Sequence, residues 1–417
     1  MILKKIEFIF RVNKIIYSYL RPPSLCVCVT LLLSSFLNSQ NLSLDLGDLM
    51  DGKYDPKRLE SIRSMKGGEN YTVLQKDEAT NSTSIISYSY SKSIKPKILV
   101  DSNSFPEKIK FSGYTFSKNE QKILLETLSD QIYRRSKQAI YWIYDIKSNT
   151  LEKLSDQKVQ EPLLSPDASK VAYVYMRNIF IKDLELNLVT QLTYDGDYKT
   201  LNGITDWVYE EEFGFVRAFD WSNDSKQIVY MRFDESNVPI FSMDIYGNKN
   251  YPFPYMFRYP KAGEENSKIE LILYDISSRT KDHIGFNNYS PYYIPRIKFI
   301  GGENSLIIQT LNRYQNELKI WRWDTRKKNL QLILSESDKA YISIKDEIKF
   351  LEDDSFLWTS EKDGYNHIYH YDKNGKFINQ VTKGNWEVTA FYGYNPKTKE
   401  IYYQSVEGST TERGIYA

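Results

Sequence analysis

One short turn recurs along this chain, and the recurrence limits the folds that the chain can adopt. The turn consists of a Ser, a variable residue and then Asn or Asp, and its copies occupy residues 116–119, 164–167 and 221–224. The three serines lie 48 and 57 residues apart, and a run typical of a β-strand follows each of them. A short strand unit cannot bury both of its faces alone, so neighbouring units must stack on one another.

Two further landmarks repeat with a similar spacing. Single aspartates close predicted strands at intervals of 38, 92, 49 and 48 residues, and they are Asp145, Asp183, Asp275, Asp324 and Asp372. The interval of 92 is close to two periods. The run Ile-Lys-Phe at 297–299 also recurs at 348–350, an offset of 51. A period of about 40–50 residues with four strands per unit is typical of a β-propeller.

We therefore predict an all-β fold, a β-propeller of four-stranded antiparallel blades. The landmarks place complete blades at residues 60–108, 109–156, 157–200, 214–285, 290–335 and 340–382, and a seventh unit begins at Lys383. The composition agrees, because 15% of the residues are aromatic, with 34 Tyr and 20 Phe, and such side chains favour strands. The fourth unit carries an aromatic insertion over residues 241–259, which is either a packed surface loop or an interface.

The first 39 residues have the pattern of a secretory signal peptide. Five basic residues precede an apolar run from Leu25 to Leu37, and small and polar residues follow it. The run is short for a membrane-spanning helix, which needs about 20 residues. An uncleaved membrane anchor is the alternative, because residues 6–20 are also fairly apolar. We expect export to the periplasm or cell envelope, with residues 40–417 forming the propeller domain.

Charge and cysteine content exclude several classes of partner and cofactor. The net charge is +1 and the charged residues are spread evenly, so no nucleic acid partner is predicted. Both cysteines, Cys26 and Cys28, lie in the predicted signal segment, which leaves no disulfide framework and no cysteine metal site. The sequence also contains no phosphate loop and no dinucleotide fingerprint, so no cofactor is predicted.

The string Asp-Trp-Val-Tyr-Glu-Glu-Glu-Phe at 206–213 is the strongest candidate for a functional site. Runs of like charge usually face water. Trp207 and Tyr209, however, need burial, which pins the segment against the protein and gives its acids a definite direction. Three adjacent carboxylates repel one another, so the arrangement indicates a site that holds a cation.

The whole string resembles the substrate-recognition helix of the dipeptidyl peptidase IV branch of the prolyl oligopeptidase family. The segment Tyr-Arg-Arg-Ser at 133–136 is similar to the family's arginine segment, and further similar blocks lie at 238–239, 259–263, 363–368 and 382–388. The resemblance covers nearly all of residues 41–417, in order, and is strongest to Bacteroidetes-type enzymes.

The resemblance implies that Glu211 and Glu212 bind the free α-amino group of a peptide substrate. It also implies that Arg134 reaches the substrate's backbone carbonyl and braces the glutamates, with Arg135 as the alternative assignment. Helical neighbours point about 100° apart, so only two of the three acids can share a direction. We expect Glu210 to point elsewhere and to matter much less. Two carboxylates around an ammonium provide charge-assisted hydrogen bonds, and an amine held there presents the second peptide bond for cleavage.

The catalytic residues implied by the resemblance are not in this sequence. The family carries a Gly-x-Ser-x-Gly nucleophile elbow in an α/β-hydrolase domain after the propeller, and no such motif occurs here, so the Ser/Asp/His triad is expected beyond Ala417. The three histidines are His283, His367 and His370. His367 and His370 would face opposite sides of a predicted strand, so no metal site is predicted.

We therefore interpret the chain as the N-terminal propeller of a secreted serine peptidase that releases N-terminal Xaa-Pro or Xaa-Ala dipeptides. The family's ring has eight blades, so about six and a half are present, and the chain is expected to be an inactive fragment that lacks its hydrolase domain. The resemblance also implies that the insertion at 241–259 helps two copies of the full-length protein form a homodimer. The alternatives are a non-catalytic envelope propeller that acts as a binding module, and the propeller of a tripeptidyl-releasing relative.

Overall fold

The computed structural model describes residues 44–56, 61–91, 93–107, 109–286, 289–300, 305–346 and 348–417. The chain divides into two compact units, residues 1–60 and 61–417. The described part of the first unit contains helix α1 (Leu46–Met50), where the Asp45 carboxylate caps the helix by accepting hydrogen bonds from the backbone N–H groups of Gly47 and Asp48. The predicted signal peptide at 1–39 lies outside the described residues.

The second unit is an all-β propeller built from antiparallel blades. Blade 1 comprises β1 (Ile62–Ser64), β2 (Asn70–Asp77), β3 (Ser82–Ser89) and β4 (Lys97–Asp101), followed by a 3₁₀ turn at Ser102–Ser104. Blade 2 comprises β5 (Gly113–Phe116), β6 (Lys122–Gln131), β7 (Lys137–Asp145) and β8 (Thr150–Lys153). Blade 3 comprises β9 (Gln160–Leu164), β10 (Lys170–Tyr175), β11 (Asn178–Asp183) and β12 (Leu188–Gln191).

Blade 4 differs from the others because it carries a helix and an additional hairpin. Its sheet contains β13 (Thr200–Asn202), β14 (Phe219–Trp221), β15 (Gln227–Asp234), β18 (Lys268–Asp275) and β19 (Lys281–His283). Both β13 and β14 pair with β15, and helix α2 (Trp207–Glu212) lies in the connection between them. The strands β16 (Ile240–Ile245) and β17 (Phe253–Arg258) form a separate two-stranded sheet, which we call the arm.

Three more sheets complete the described propeller. Blade 5 comprises β20 (Tyr293–Ile300), β21 (Ser305–Leu311), β22 (Glu317–Asp324) and β23 (Asn329–Ser337). Blade 6 comprises β24 (Lys349–Phe350), β25 (Phe356–Ser360), β26 (His367–Tyr371) and β27 (Phe377–Gln380). A seventh, three-stranded sheet comprises β28 (Val388–Asn395), β29 (Glu400–Ser405) and β30 (Gly414–Tyr416). The predicted fold class, with six complete blades and part of a seventh, is confirmed.

The recurrent Ser turn connects two successive strands of a blade through a fixed set of hydrogen bonds; the pairs are β5 and β6, β9 and β10, and β14 and β15. In blade 3 the Ser165 hydroxyl donates to Asp167 Oδ1 at 2.6 Å and accepts from the backbone N–H of Lys170 at 2.9 Å. Ser117 and Ser222 make the same two contacts in blades 2 and 4. The residue that follows each turn has a positive φ; these residues are Glu120, Ala168 and Ser225. Repeated sequence therefore reflects repeated turn geometry.

The recurrent Asp caps the turn between the third and fourth strands of its blade. Asp275 Oδ1 accepts hydrogen bonds from the backbone N–H groups of Ser277 at 3.1 Å and Ser278 at 3.0 Å. Asp145, Asp183 and Asp324 accept from the equivalent pair of backbone N–H groups, and Asp372 accepts from two N–H groups of its own turn. These bonds stabilise the ionised form, and they lower the pKa of Asp275 to about 2.

Adjacent blades are joined by partly buried polar contacts as well as by apolar packing. The Trp221 indole N–H of blade 4 donates to the Leu163 carbonyl of blade 3 at 3.1 Å. The Asp220 carboxylate of blade 4 accepts from the Phe299 backbone N–H of blade 5 at 2.9 Å. A continuous cluster of buried side chains spans blades 3 to 6 and includes Tyr209 and Phe213 from the α2 region. Helix α2 is therefore seated on the propeller core.

Two predicted details are refined by the structure. The repeat places residue 200 in the third unit and residues 201–202 in the connection that follows it. In the structure, residues 200–202 form β13, which belongs to the sheet of blade 4. The aromatic insertion at 241–259 forms the arm, where exposed apolar side chains cluster, among them Ile240, Tyr251, Phe253 and Met256. No helix among the described residues has the length and apolar character needed to cross a membrane.

Candidate functional site

Helix α2 is short, and its start is fixed by a buried N-cap. Asp206 Oδ1 accepts a hydrogen bond from the Tyr209 backbone N–H at 2.9 Å, while its Oδ2 accepts from the hydroxyl of Ser267. Asp206 is 5% exposed, and burial raises the pKa of its carboxyl group above the ordinary value. The helix ends at Glu212 with Phe213 as its C-cap, and Gly214 follows with φ of +74°, a left-handed conformation that suits glycine after a helix.

The two aromatic residues of the motif fix the helix to the propeller, as the sequence predicts. Tyr209 is 1% exposed, packs against Phe213 and Phe233, and its hydroxyl accepts a hydrogen bond from the Ile294 backbone N–H at 2.9 Å. Trp207 is half-buried and meets the ring of Tyr259 edge-to-face, with ring centroids 4.5 Å apart. The six-residue helix is therefore held by tertiary contacts to blades 4 and 5.

The three glutamates of the motif have three different environments. Glu210 is 1% exposed, Glu211 is half-buried with a side chain 16% exposed, and Glu212 is exposed. Successive helical positions are about 100° apart, which accounts for the divergence. Within the described part of the chain, the Glu212 carboxylate makes no ion pair or hydrogen bond, so it is available to a ligand.

Arg134 reaches Glu211 from the loop between β6 and β7 of blade 2. Its Nε lies 2.7 Å from Glu211 Oε2, and the Arg134 side chain is 74% exposed. The side chain of Arg135 takes a different direction, towards Gly214, where a Cβ added to the glycine would lie 3.7 Å from a guanidinium nitrogen of Arg135. The structure thus brings together Arg134 and Glu211, the pair that the sequence selects, and places Glu212 next to them on the helix. The roles of these residues in binding stay a prediction.

Glu210 has contacts that the sequence does not reveal. Its Oε1 accepts hydrogen bonds from the backbone N–H groups of Arg135 at 2.6 Å and Ser136 at 2.8 Å. The expectation that this residue matters much less rests on its different direction alone. The Glu210 side chain does point in a different direction, but it points towards the loop that carries Arg134. No signal in the sequence pairs the two segments, because they are about 75 residues apart.

A cavity of about 380 Å³ lies behind the helix. Its lining includes Tyr133, Asp206, Trp207, Glu210 and Glu235. Glu235 is 6% exposed, and burial, together with the charge of Asp206, raises the pKa of its carboxyl group to about 7. Burial also raises the pKa of the Tyr133 hydroxyl, to about 12. Sequence reasoning misses Glu235, because nothing in the local sequence shows that this glutamate is buried.

The histidines on β26 have structural contacts. His367 is fully buried, and its ring lies between the Thr382 hydroxyl, 3.1 Å from Nδ1, and the Gly384 carbonyl, 3.0 Å from Nε2. His370 instead contacts the Ser355 hydroxyl at 2.9 Å. Across the described ranges, no group of three or more His, Cys, Asp or Glu side chains is arranged to hold a metal ion.

Comparisons with known proteins identify the fold and the family. The sequence model of the family described as "Dipeptidyl peptidase IV (DPP IV) N-terminal region" matches residues 117–417. The crystal structure of Porphyromonas gingivalis dipeptidyl peptidase 4 is similar with a TM-score of 0.83 and 36% sequence identity, over 89% of this chain and 54% of that one.

Two eukaryotic relatives extend the comparison. A probable dipeptidyl-aminopeptidase B of Pyrenophora teres f. teres is 30% identical over 338 residues, 72% of this chain and 37% of the relative. The prolyl endopeptidase FAP of Mus musculus is 29% identical over 352 residues, 78% of this chain and 46% of the relative. The chain thus spans about half the length of such relatives or less. With the propeller, the placement of α2 and these matches in agreement, the chain belongs to the dipeptidyl peptidase IV family, of which it represents the N-terminal propeller region.

Proposed function

We propose that this propeller recognises the free N-terminus of peptide substrates for a serine exopeptidase that releases N-terminal Xaa-Pro or Xaa-Ala dipeptides. Glu211 and Glu212 bind the α-ammonium group, and Arg134 binds the substrate backbone. The observation that carries this proposal is the contact of 2.7 Å between Arg134 Nε and Glu211 Oε2, beside the exposed Glu212. The serine nucleophile and its partners belong to a hydrolase domain outside this chain.

The charge arrangement supports a site for an ammonium group. Arg134 neutralises one of the two neighbouring carboxylates, and Glu212 remains free to accept hydrogen bonds from a ligand. Hydrogen bonds between charged groups contribute about 1.5–3 kcal/mol each. A peptide with a blocked N-terminus cannot donate them, and its approach would leave the carboxylates desolvated and unpaired. Binding of the free amine at this site therefore fixes which peptide bond of the substrate is cleaved.

The test is kcat/KM of the full-length enzyme, with the propeller joined to its hydrolase domain, on a Gly-Pro chromogenic substrate. Glu211→Ala and Glu212→Ala should each reduce kcat/KM by about 10- to 150-fold, because each 1.36 kcal/mol corresponds to a tenfold change. Glu185→Ala, which removes an exposed carboxylate on blade 3, is the control. Wild-type values for both helix variants would refute the proposed amine site.

A second substrate separates the proposed activity from that of an endopeptidase. The N-acetylated form of the same substrate should be cleaved at least tenfold more slowly by the wild-type enzyme, and the difference should shrink in Glu212→Ala. Equal cleavage of both forms would indicate that the enzyme is an endopeptidase. Release of tripeptides from a longer free-amine peptide, measured by mass spectrometry, would assign the tripeptidyl alternative.

The proposal extends to export and assembly. The apolar segment within residues 1–39 supports export to the periplasm or cell envelope, which fractionation of cells would test. The exposed apolar side chains of the arm support pairing of two copies into a homodimer. Replacing Tyr251 and Phe253 of the arm with Ser should convert a dimer to a monomer in analytical ultracentrifugation of the full-length enzyme, and an unchanged mass would refute this interface.

A further inference from the structure

We propose that Glu210 is a positioning residue for Arg134, holding the loop that carries it against helix α2. The inference rests on the proposed function, because it assigns the part of the site that places the substrate-binding arginine. It does not place Glu210 in contact with the substrate.

The loop at 132–136, between β6 and β7, leaves two backbone donors for an acceptor outside the loop. Within the loop, the N–H groups of Ile132 and Tyr133 donate to the Ser136 carbonyl and to the Ser136 hydroxyl, at 2.8 and 3.1 Å. The N–H groups of Arg135 and Ser136 instead donate to Glu210 Oε1. Backbone donors that are removed from water need an acceptor, and a buried carboxylate needs donors. The two N–H groups of the loop and the Glu210 carboxylate therefore satisfy one another.

The Arg134 side chain cannot fix its own position. The Arg134 side chain is 74% exposed and that of Glu211 is 16% exposed, so solvent screens this single ion pair, which is worth about 1 kcal/mol. A long arginine side chain also loses rotamer freedom when it is held in one place. The direction in which Arg134 leaves the backbone is therefore set mainly by the two hydrogen bonds at the next two residues.

Helix α2 provides a rigid reference for these bonds. The Asp206–Ser267 contact attaches its first turn to blade 4, and the Tyr209 hydroxyl attaches it to blade 5 at Ile294. Glu210 and Glu211 are successive residues, so the same helix turn binds both the backbone of the loop and the guanidinium of Arg134. This double contact sets the distance between the arginine on blade 2 and the acids on blade 4.

A positioning residue differs in a measurable way from a residue that only stabilises the helix. A purely structural residue would lower stability, and its effect on kcat/KM would multiply with that of Arg134→Ala. A residue that acts through Arg134 loses its effect once Arg134 has been removed. Tyr209→Phe is the matched control, because it removes an anchor of the same helix without touching the arginine loop.

The first measurement is amide hydrogen exchange at Arg135 and Ser136 in the 417-residue chain without substrate. Protection at both amides should fall in Glu210→Ala and be retained in Glu210→Gln, whose amide oxygen still accepts both hydrogen bonds. Tyr209→Phe should leave the protection at these two amides unchanged. Unaltered protection in Glu210→Ala overturns the inference whatever the fate of the proposed function.

The second measurement is a double-mutant cycle of kcat/KM in the full-length enzyme. Glu210→Ala should reduce kcat/KM by up to the loss seen in Arg134→Ala, within a range of about 10- to 150-fold. The double variant should resemble Arg134→Ala alone, and Glu210→Gln should restore most of the activity. The effects of Tyr209→Phe and Arg134→Ala should multiply.

Multiplicative losses for Glu210→Ala and Arg134→Ala would overturn the positioning role. Wild-type activity of Arg134→Ala would show that Arg134 does not bind the substrate, which would refute this part of the proposed function and with it the positioning role of Glu210. The exchange data would in that case still report whether Glu210 anchors the loop.

Discussion

Glu235 provides the sharpest test of the electrostatics behind helix α2. Its carboxyl group is 6% exposed, lines the cavity next to Asp206 and has a pKa raised to about 7 from 4.5. Burial is the main cause and repulsion by Asp206 the second, while Arg177 and Arg258 lower the pKa. The perturbation is Glu235→Gln, which keeps the shape of the side chain and removes its titration.

The sign follows from proton linkage. The folded state binds the Glu235 proton more tightly than the unfolded state, so the free energy of unfolding falls as pH rises from about 4.5 to 7. A rise of about 2.5 pKa units corresponds to about 3 kcal/mol of destabilisation when the group is ionised at pH 8. At pH 5 the destabilisation calculated in the same way is less than about 1 kcal/mol. Relative to wild type, Glu235→Gln should therefore gain about 2–3 kcal/mol of stability between pH 5 and pH 8.

Urea unfolding of the 417-residue chain at pH 5, 6, 7 and 8, for wild type and variant, measures this difference. Titrating groups that do not interact with Glu235 are common to both proteins and cancel, and Glu185→Gln on the surface is the control for an isosteric change. A difference between Glu235→Gln and wild type that does not change with pH would refute the assignment of a raised pKa to Glu235. A change of the opposite sign would show that Arg177 and Arg258 dominate its environment.

Two further predictions follow from the turns and from the missing catalytic motif. The pKa of Asp275 is lowered to about 2 from 3.8, chiefly by the hydrogen bond from the Ser278 backbone N–H, so its stabilising contribution is present above pH 4 and is lost as pH falls towards 2. In urea unfolding, Asp275→Ala should therefore be less stable than wild type at pH 6, and the difference should shrink at pH 2.5; a constant difference would contradict this. The 417-residue chain alone should not hydrolyse Gly-Pro or Ala-Pro chromogenic substrates, because it contains no Gly-x-Ser-x-Gly motif. Turnover that a serine-directed inhibitor blocks would show the opposite.

Much of the fold could be predicted from local sequence because the blade turns are local structures. The Ser turn closes through contacts between residues two and five apart, such as Ser165 with Asp167 and Lys170. The Asp cap reaches two and three residues ahead. Each turn therefore has the same sequence pattern wherever it occurs, and the spacing of the copies predicts the number of blades. The assignment of β13 to blade 4 was less accessible, since a three-residue strand carries too little pattern to show its partner.

The candidate site was accessible only in part. Arg134, Glu211 and Glu212 could be selected because their motifs resemble those of a known family, and Tyr209 because a buried aromatic residue pins the acidic run. The sequence by itself determined the propeller repeat and the residues of the acidic helix. The different environments of the three glutamates were decided by tertiary structure, because blade stacking brings the loop at 132–136 to α2 and buries Glu210, as it also buries Glu235. Burial and partners distant in sequence set the charge and the contacts of these two groups, and no local pattern encodes them.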